Sequence, residues 1–305
     1  MTKTCAPCAL AVTMALLLVV LTPLSAAAPP QQVAQVHPDV WEALETEGET
    51  EILILLRQQA DLNEADTLPT KEEKGRYVYE ALWRVAQESQ QDLRSALDAQ
   101  GIEHRSFYIV NAIKTRADGA LVRSLAARHD VAQIVPNPRV QGVPPDLPQP
   151  TTEAALHTRT VEGIEQNLIR VNADDVWALG YTGQGIVVAG QDTGYDWDHP
   201  ALVNQYRGWD GVTASHDYNW HDAIHAATEN ACGFDSPEPC DDHLSSHGTH
   251  TMGIMVGDDG GTNQIGMAPG ARWIGCRNMD QGVGTPATYM ECFEFFLAPY
   301  PAVSY

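Results

Sequence analysis

Positive charge is scarce in this chain. Its 305 residues carry 18 Lys and Arg against 40 Asp and Glu, a formal net charge of −22. The shortage is uneven. Residues 28–160 hold 20 acidic residues and 13 Lys/Arg, whereas residues 161–305 hold 20 acidic residues and only 4 Arg. A surface this acidic repels nucleic acid and anionic membranes, so neither is a partner. It tolerates bound cations, but a solvated acidic face that keeps a protein soluble accounts for it. Long apolar runs are also lacking: beyond Ala9–Leu21 there is no second one, which excludes a later membrane-spanning helix. Outside Cys5 and Cys8 no pair of cysteines has the Cys-x₂₋₄-Cys spacing of a zinc site. Asp192-Thr193-Gly194 occurs once, while aspartic-protease chemistry needs two such carboxylates, from one chain or a dimer. His247 and His250 have the spacing of a metal pair but lack the Glu of His-Glu-x-x-His.

What is present begins with an address. Lys3 is the only charge in the first 27 residues, an apolar core follows, and Ser25-Ala26-Ala27 supplies small residues at a cleavage site. That is the layout of a secretory signal peptide, residues 1–27. The chain is therefore expected to be secreted and, after cleavage, free of the membrane. Cys5 and Cys8 would be lost with that peptide. In an oxidising compartment Cys232, Cys240, Cys276 and Cys292 suggest two disulfides, with three possible connectivities. Cys232 with Cys240 is the easiest, closing a short Gly/Pro-rich loop. Cys276 with Cys292 would then join a strand to a helix.

Residues 50–140 read as a small α+β unit. Glu51–Leu56 is a short, nearly continuous apolar strand. Arg76–Gln100 lacks Gly and Pro and carries Val78, Leu82, Val85, Leu93 and Leu97 on one stripe, a helix ending near Gly101. Ile102–Ala117 holds one strand or two. Asp118 caps a second helix, and Val131–Val135 is a last strand. The order β-α-β-(β)-α-β is that of a ferredoxin-like split unit. Residues 141–164 follow as a proline-rich linker, extended and open to proteolysis.

The second half alternates strands and helices, which predicts an α/β domain with a parallel sheet. Asn172 is placed to N-cap a short helix that Gly180 stops. Gly185–Gly190, closing on Asp192, reads as a buried parallel strand. His247–Val256 reads as a helix and Ala271–Arg277 as another buried strand. Thr285 and Pro286 open a final helix to Leu297. The histidines His216, His221, His225 and His243 fall in a polar stretch that reads as a solvated loop.

Functional groups gather at the carboxyl ends of parallel strands, and Asp192 sits at one. A carboxylate there can hold an imidazole N–H and stabilise the imidazolium. His247, opening a helix beside Gly248, has a side chain suited to proton shuttling near neutral pH. Together with their flanks, Tyr181-Thr-Gly-Gln-Gly185, Gln191-Asp-Thr-Gly194, Asp198-His-Pro200, Ser246-His-Gly-Thr-His-Thr-Met-Gly253 and Gly266-Met-Ala-Pro-Gly270 resemble the catalytic blocks of the subtilisin-like serine proteases, or subtilases. The wording around Cys276-Arg-Asn-Met279 is most similar to their bacillopeptidase F branch. The resemblance covers residues 165–305.

The resemblance implies a partial subtilisin-like three-layer domain over residues 165–305, preceded by an inhibitory pro-domain over residues 50–140 that sits in the cleft. It implies Asp192 as the orienting carboxylate and His247 as the general base, in the family's Asp-His-Ser order. Gly282, Val283 and Gly284 resemble the edge strand that pairs with an extended peptide substrate; an ordinary surface turn is the other reading of those glycines. No cofactor is required for the chemistry. Members bind structural calcium, and no site for it can be placed from this sequence.

Two family parts are not found: the oxyanion Asn and the Ser of a Gly-Thr-Ser segment. Ser304 has no flanking glycine and is not assigned as nucleophile. About half of the catalytic domain is expected here, so the chain alone is expected to be inactive, with Ile186 and Trp273 exposed for want of neighbours. Two other functions remain open. The α+β unit could inhibit or template the folding of another subtilase. Alternatively Asp241, Asp242, His243, His247 and His250 could hold a hydrolytic metal.

Overall fold

The computed structural model describes residue 1 and residues 33–143, 163–226, 229–243 and 245–302. The signal peptide, most of the linker and Ser304 lie outside the described residues.

The first half builds one five-stranded sheet: β1 (Gln35–Val36), β2 (Glu49–Leu56), β3 (His104–Phe107), β4 (Ala112–Asp118) and β5 (Val131–Pro136), in the order β1-β5-β2-β4-β3. All neighbours are antiparallel except β1 with β5. Helices α1 (Pro38–Glu47), α2 (Lys71–Asp98) and α3 (Gly119–Ala126) complete the unit. The strand-helix-strand-strand-helix-strand order read from the sequence is present, and Ile102–Ala117 resolves into two strands. The unit also reaches upstream of residue 50, through β1 and α1.

The continuous apolar character of β2 has a direct cause. Ile52, Ile54 and Leu56 face Leu93 and Leu97 of α2 and Val122 and Leu125 of α3. Leu53 and Leu55 point the other way, into a second cluster with Phe107 and with Ala287 and Met290 of α7 (Pro286–Leu297). A strand covered on both faces has no reason to alternate. Helix α2 starts five residues before the expected Arg76, because Thr70 and Glu73 form a reciprocal capping box that carries Gly75 inside the helix.

The second half holds a parallel sheet of β8 (Val187–Asp192), β11 (Arg272–Arg277) and β9 (Trp220–Asp222), in the order β8-β11-β9. Helix α6 (His247–Val256) packs on it through Met252 and Val256, against Tyr195, Tyr206, Trp220 and Trp273. Several expectations are corrected here. Strand β8 is an edge strand among the described residues: Val187 is exposed, against the buried strand read over Gly185–Gly190, while Ile186 is exposed as expected. Trp273, expected to be exposed, is fully buried, since Tyr195 and Tyr206 cover it and its indole N–H donates to the Leu202 carbonyl at 3.0 Å. Asn172 precedes the short helix α5 (Ala173–Ala178) but takes φ 58° and makes no side-chain cap; it turns the chain out of α4 (Gln166–Arg170).

The stretch read as a linker is partly structured at both ends. Gly163–Ile164 forms β7, paired with β10 (Asn263–Gln264). Val140–Gln141 forms β6, which pairs antiparallel with β13 (Val283–Gly284), itself hairpinned to β12 (Met279–Asp280). Disulfides link Cys232 to Cys240 and Cys276 to Cys292, the second joining β11 to α7.

Candidate active site

Asp192 ends β8 with its carboxylate buried. Its Oδ1 accepts from the Thr193 N–H at 2.8 Å and from His247 Nδ1 at 2.7 Å, and its Oδ2 accepts from the Thr251 hydroxyl at 3.1 Å. A carboxylate partner makes Nδ1 the protonated nitrogen, which leaves Nε2 with the basic lone pair. His247 is about a third exposed, while Asp192 is nearly closed off. This is the geometry of an oriented general base.

Two glycines explain why the pair can meet. Gly194 adopts φ 114°, and a Cβ there would fall 1.7 Å from the Cys240 carbonyl oxygen. A Cβ on Gly248 would fall 2.0 Å from the Gly194 carbonyl oxygen. The Asp192 turn, the start of α6 and the chain leaving the Cys232–Cys240 loop are in backbone contact, and side chains at these positions would push them apart.

Gly282, Val283 and Gly284, expected to form a substrate edge, fall into a hairpin. Gln281 and Gly282 both take positive φ, 48° and 85°, as a two-residue turn with right-handed strand twist requires. Gly282 therefore sits in a turn, and the same segment also pairs with another strand: Val283 lies opposite Gln141 and Gly284 opposite Val140, and the Gly282 carbonyl accepts from Gly142 N–H at 2.8 Å and Val143 N–H at 3.1 Å.

The residues considered for a hydrolytic metal are engaged elsewhere. Asp242 accepts from Arg277 at 3.2 Å, Asp241 from two threonines, and His243 from Ser245. His250 lines a cavity of about 670 Å³ together with Asp196, His199 and Ile254. Among the described residues no three His, Cys, Asp or Glu side chains converge to hold a metal ion.

Sequence reasoning missed the ionic joint between the two halves. His221, placed in a solvated loop, is fully buried on β9 and meets Glu291 of α7 at 2.6 Å. His225 Nε2 lies 2.8 Å from the same carboxylate, and Arg105 of β3 is 2.9 Å from it. Burial alone would raise the Glu291 pKa, but the hydrogen bonds from His221 and His225, with the Arg105 charge, bring it down to about 2. One turn on, Glu294 accepts from the N–H groups of Tyr108 and Ile109, and burial pushes its carboxyl up to about 7. At the end of β11, Arg277 is wholly buried between Asp222 and Asp242. The partners are dozens of residues apart in sequence, so no local signal announces them.

Residues 183–294 match a family model described as the subtilase family. The chain belongs to that family. It is similar to bacillopeptidase F of Bacillus subtilis (strain 168), 35% identical over 242 residues, which covers 76% of this chain and 16% of that protein. It is also similar to the minor extracellular protease Vpr of the same organism, 36% identical over 115 residues, covering 37% of this chain and 12% of Vpr. The chain thus spans less than a fifth of the length of these subtilase relatives. Among solved structures, the epidermin leader peptide processing serine protease EpiP of Staphylococcus aureus aligns with TM-score 0.46 at 12% identity, over 78% of this chain and 45% of EpiP.

Proposed function

We propose that residues 165–305 carry the Asp–His part of a secreted subtilase that hydrolyses peptide bonds by acyl transfer. Asp192 orients and stabilises His247, and His247 Nε2 takes the proton from a serine nucleophile. No Gly-Thr-Ser segment supplies that serine within these 305 residues, so the chain alone is inactive in this reading. The observation that carries it is the 2.7 Å contact between His247 Nδ1 and Asp192, reached from subtilase-matched segments. The test is to read the gene through and beyond codon 305, express the whole product and measure peptide hydrolysis. Hydrolysis that His247→Ala abolishes supports the reading; hydrolysis that survives it removes it.

In the same proposal Gly282, Val283 and Gly284 form the peptide-binding edge, and residues 33–143 act as a pro-domain whose tail lies on that edge. Support comes from the antiparallel pairing of Val140–Gln141 with Val283–Gly284, the strand addition an extended peptide would make. A second reading rests on the same pairing: the N-terminal unit inhibits, or templates the folding of, another subtilase. Purified residues 28–150 should then slow a related protease at sub-micromolar concentration, and no inhibition would remove that reading.

A further inference from the structure

Asp241 comes directly after a disulfide cysteine and sits between the two segments that carry the Asp192–His247 pair. Its Oδ1 accepts from the Thr193 hydroxyl at 2.7 Å and from the His243 N–H at 3.3 Å. Its Oδ2 accepts from the Thr249 N–H at 2.9 Å and the Thr249 hydroxyl at 2.7 Å. Thr193 follows Asp192, and Thr249 is the third residue of α6, which His247 opens. Both hydroxyls pass the connection on. Thr193 Oγ1 accepts from the Gly248 N–H at 3.1 Å, and Thr249 Oγ1 from the Asp196 N–H at 3.0 Å. The backbone joins in, with Asp242 N–H donating to the Thr193 carbonyl at 3.2 Å.

The start of α6 needs this. Ser246 takes φ 47° and makes no side-chain cap, so the first free N–H groups of the helix find their acceptors in Thr193 and Asp241 instead. A carboxylate at a helix N-terminus also has the favourable sign.

We propose that Asp241 is a positioning residue: its carboxylate ties Thr193 to Thr249 and thereby holds Asp192 at hydrogen-bonding distance from His247. The proposal rests on the reading of Asp192 and His247 as a catalytic pair. It goes further by assigning a role to a residue outside the family's motif residues. Every group facing the Asp241 carboxylate is a donor. An amide cannot replace it, because the NH₂ of Asp241→Asn would face a donor on one side.

The test uses the whole chain with ring-labelled histidine and follows His247 by NMR, assigned with His247→Gln. Asp192→Asn is the control for the pair. It should remove the low-field Nδ1–H resonance. If that resonance is unchanged, the catalytic-pair reading itself fails. With the control positive, Asp241→Asn and Thr193→Val should each broaden or lose the Nδ1–H resonance. Thr193→Ser, which keeps the hydroxyl, should retain it as in wild type. Thr193→Val keeps the Asp241 charge, so it separates position from field. A normal resonance in Thr193→Val overturns the proposal, as does its loss in Thr193→Ser. Should Asp241→Asn not fold, the two Thr193 variants decide the matter.

Discussion

Glu294 offers the sharpest prediction about the joint between the two halves. Its carboxylate accepts from two backbone N–H groups at the β3–β4 turn, and the side chain is almost wholly buried. Burial raises its pKa from 4.5 to about 7. An acid whose folded pKa lies above its unfolded value stabilises the fold most where it is protonated in both states. That contribution is intact below pH 4.5 and is lost as pH rises through about 7. Between pH 5 and pH 8 the loss is about 2 to 3 kcal/mol, at 1.4 kcal/mol for each pH unit of displacement. Glu294→Gln keeps the accepting oxygen and removes the charge. Urea unfolding at the two pH values should find the variant close to wild type at pH 5 and more stable by about 2 to 3 kcal/mol at pH 8. Taking the difference cancels groups that titrate in both proteins, Asp242 among them. If Glu294→Gln is less stable than wild type at pH 8, the charge-assisted bonds to Tyr108 and Ile109 outweigh burial and the reasoning is wrong.

Glu291 acts in the opposite direction. Held down to about 2 by His221, His225 and Arg105 against its own burial, it contributes stability present above pH 4.5 and lost as pH falls towards 2, roughly 3 kcal/mol; acid titration of tryptophan fluorescence should show a shallower acid limb for Glu291→Gln. Gly248→Ala places a methyl 2.0 Å from the Gly194 carbonyl oxygen, and should cost about 3 kcal/mol in urea and weaken the Asp192–His247 resonance. Replacing Cys232 and Cys240 by Ser opens a loop of sequence separation 8; a loss of about 2 kcal/mol is expected by differential unfolding, with the Asp241 contacts the first to loosen.

The parts of the site that were legible in the sequence are those whose constraint is local. Asp192-Thr-Gly194 and His247-Gly-Thr249 could be read because the glycines that permit backbone contact stand beside the residues proposed as the catalytic pair. Helix α7 could be bounded because Thr285, Pro286 and Pro299 punctuate it; α2 was started late because Gly75 reads as a break until the capping box before it is weighed. Loop length favours Cys232 with Cys240 among the three possible connectivities, and that disulfide is present with Cys276–Cys292. What could not be read was set by partners far along the chain. His221 and His225 look like polar loop residues until Glu291, some 70 positions later, is folded beneath them.

That difference bears on how the halves work together. The edge pairing of Val140–Gln141 with Val283–Gly284 involves only backbone groups and would accept many sequences. Specific attachment of the N-terminal unit comes from groups on α7: Ala287 N–H donates to Asn137 Oδ1 at 3.0 Å, the Glu291 carboxylate holds Arg105, and the Glu294 carboxylate accepts from the β3–β4 turn. His225, whose pKa its neighbours Glu291 and Asp235 raise against the effect of burial, loses its stabilising contribution as pH rises, in the same direction as Glu294. Glu291 loses its own only in acid. The joint should therefore be tightest in mildly acidic solution and should loosen on the alkaline side first. Hydrogen exchange at pH 5.5 and pH 8.5, corrected for intrinsic rates, should show the amides of Tyr108 and Ile109 losing protection at the higher pH while those of Leu53 and Ile54 keep theirs. Equal loss at both places would mean that the whole N-terminal unit unfolds rather than detaches, and the joint would then not be the pH-sensitive element.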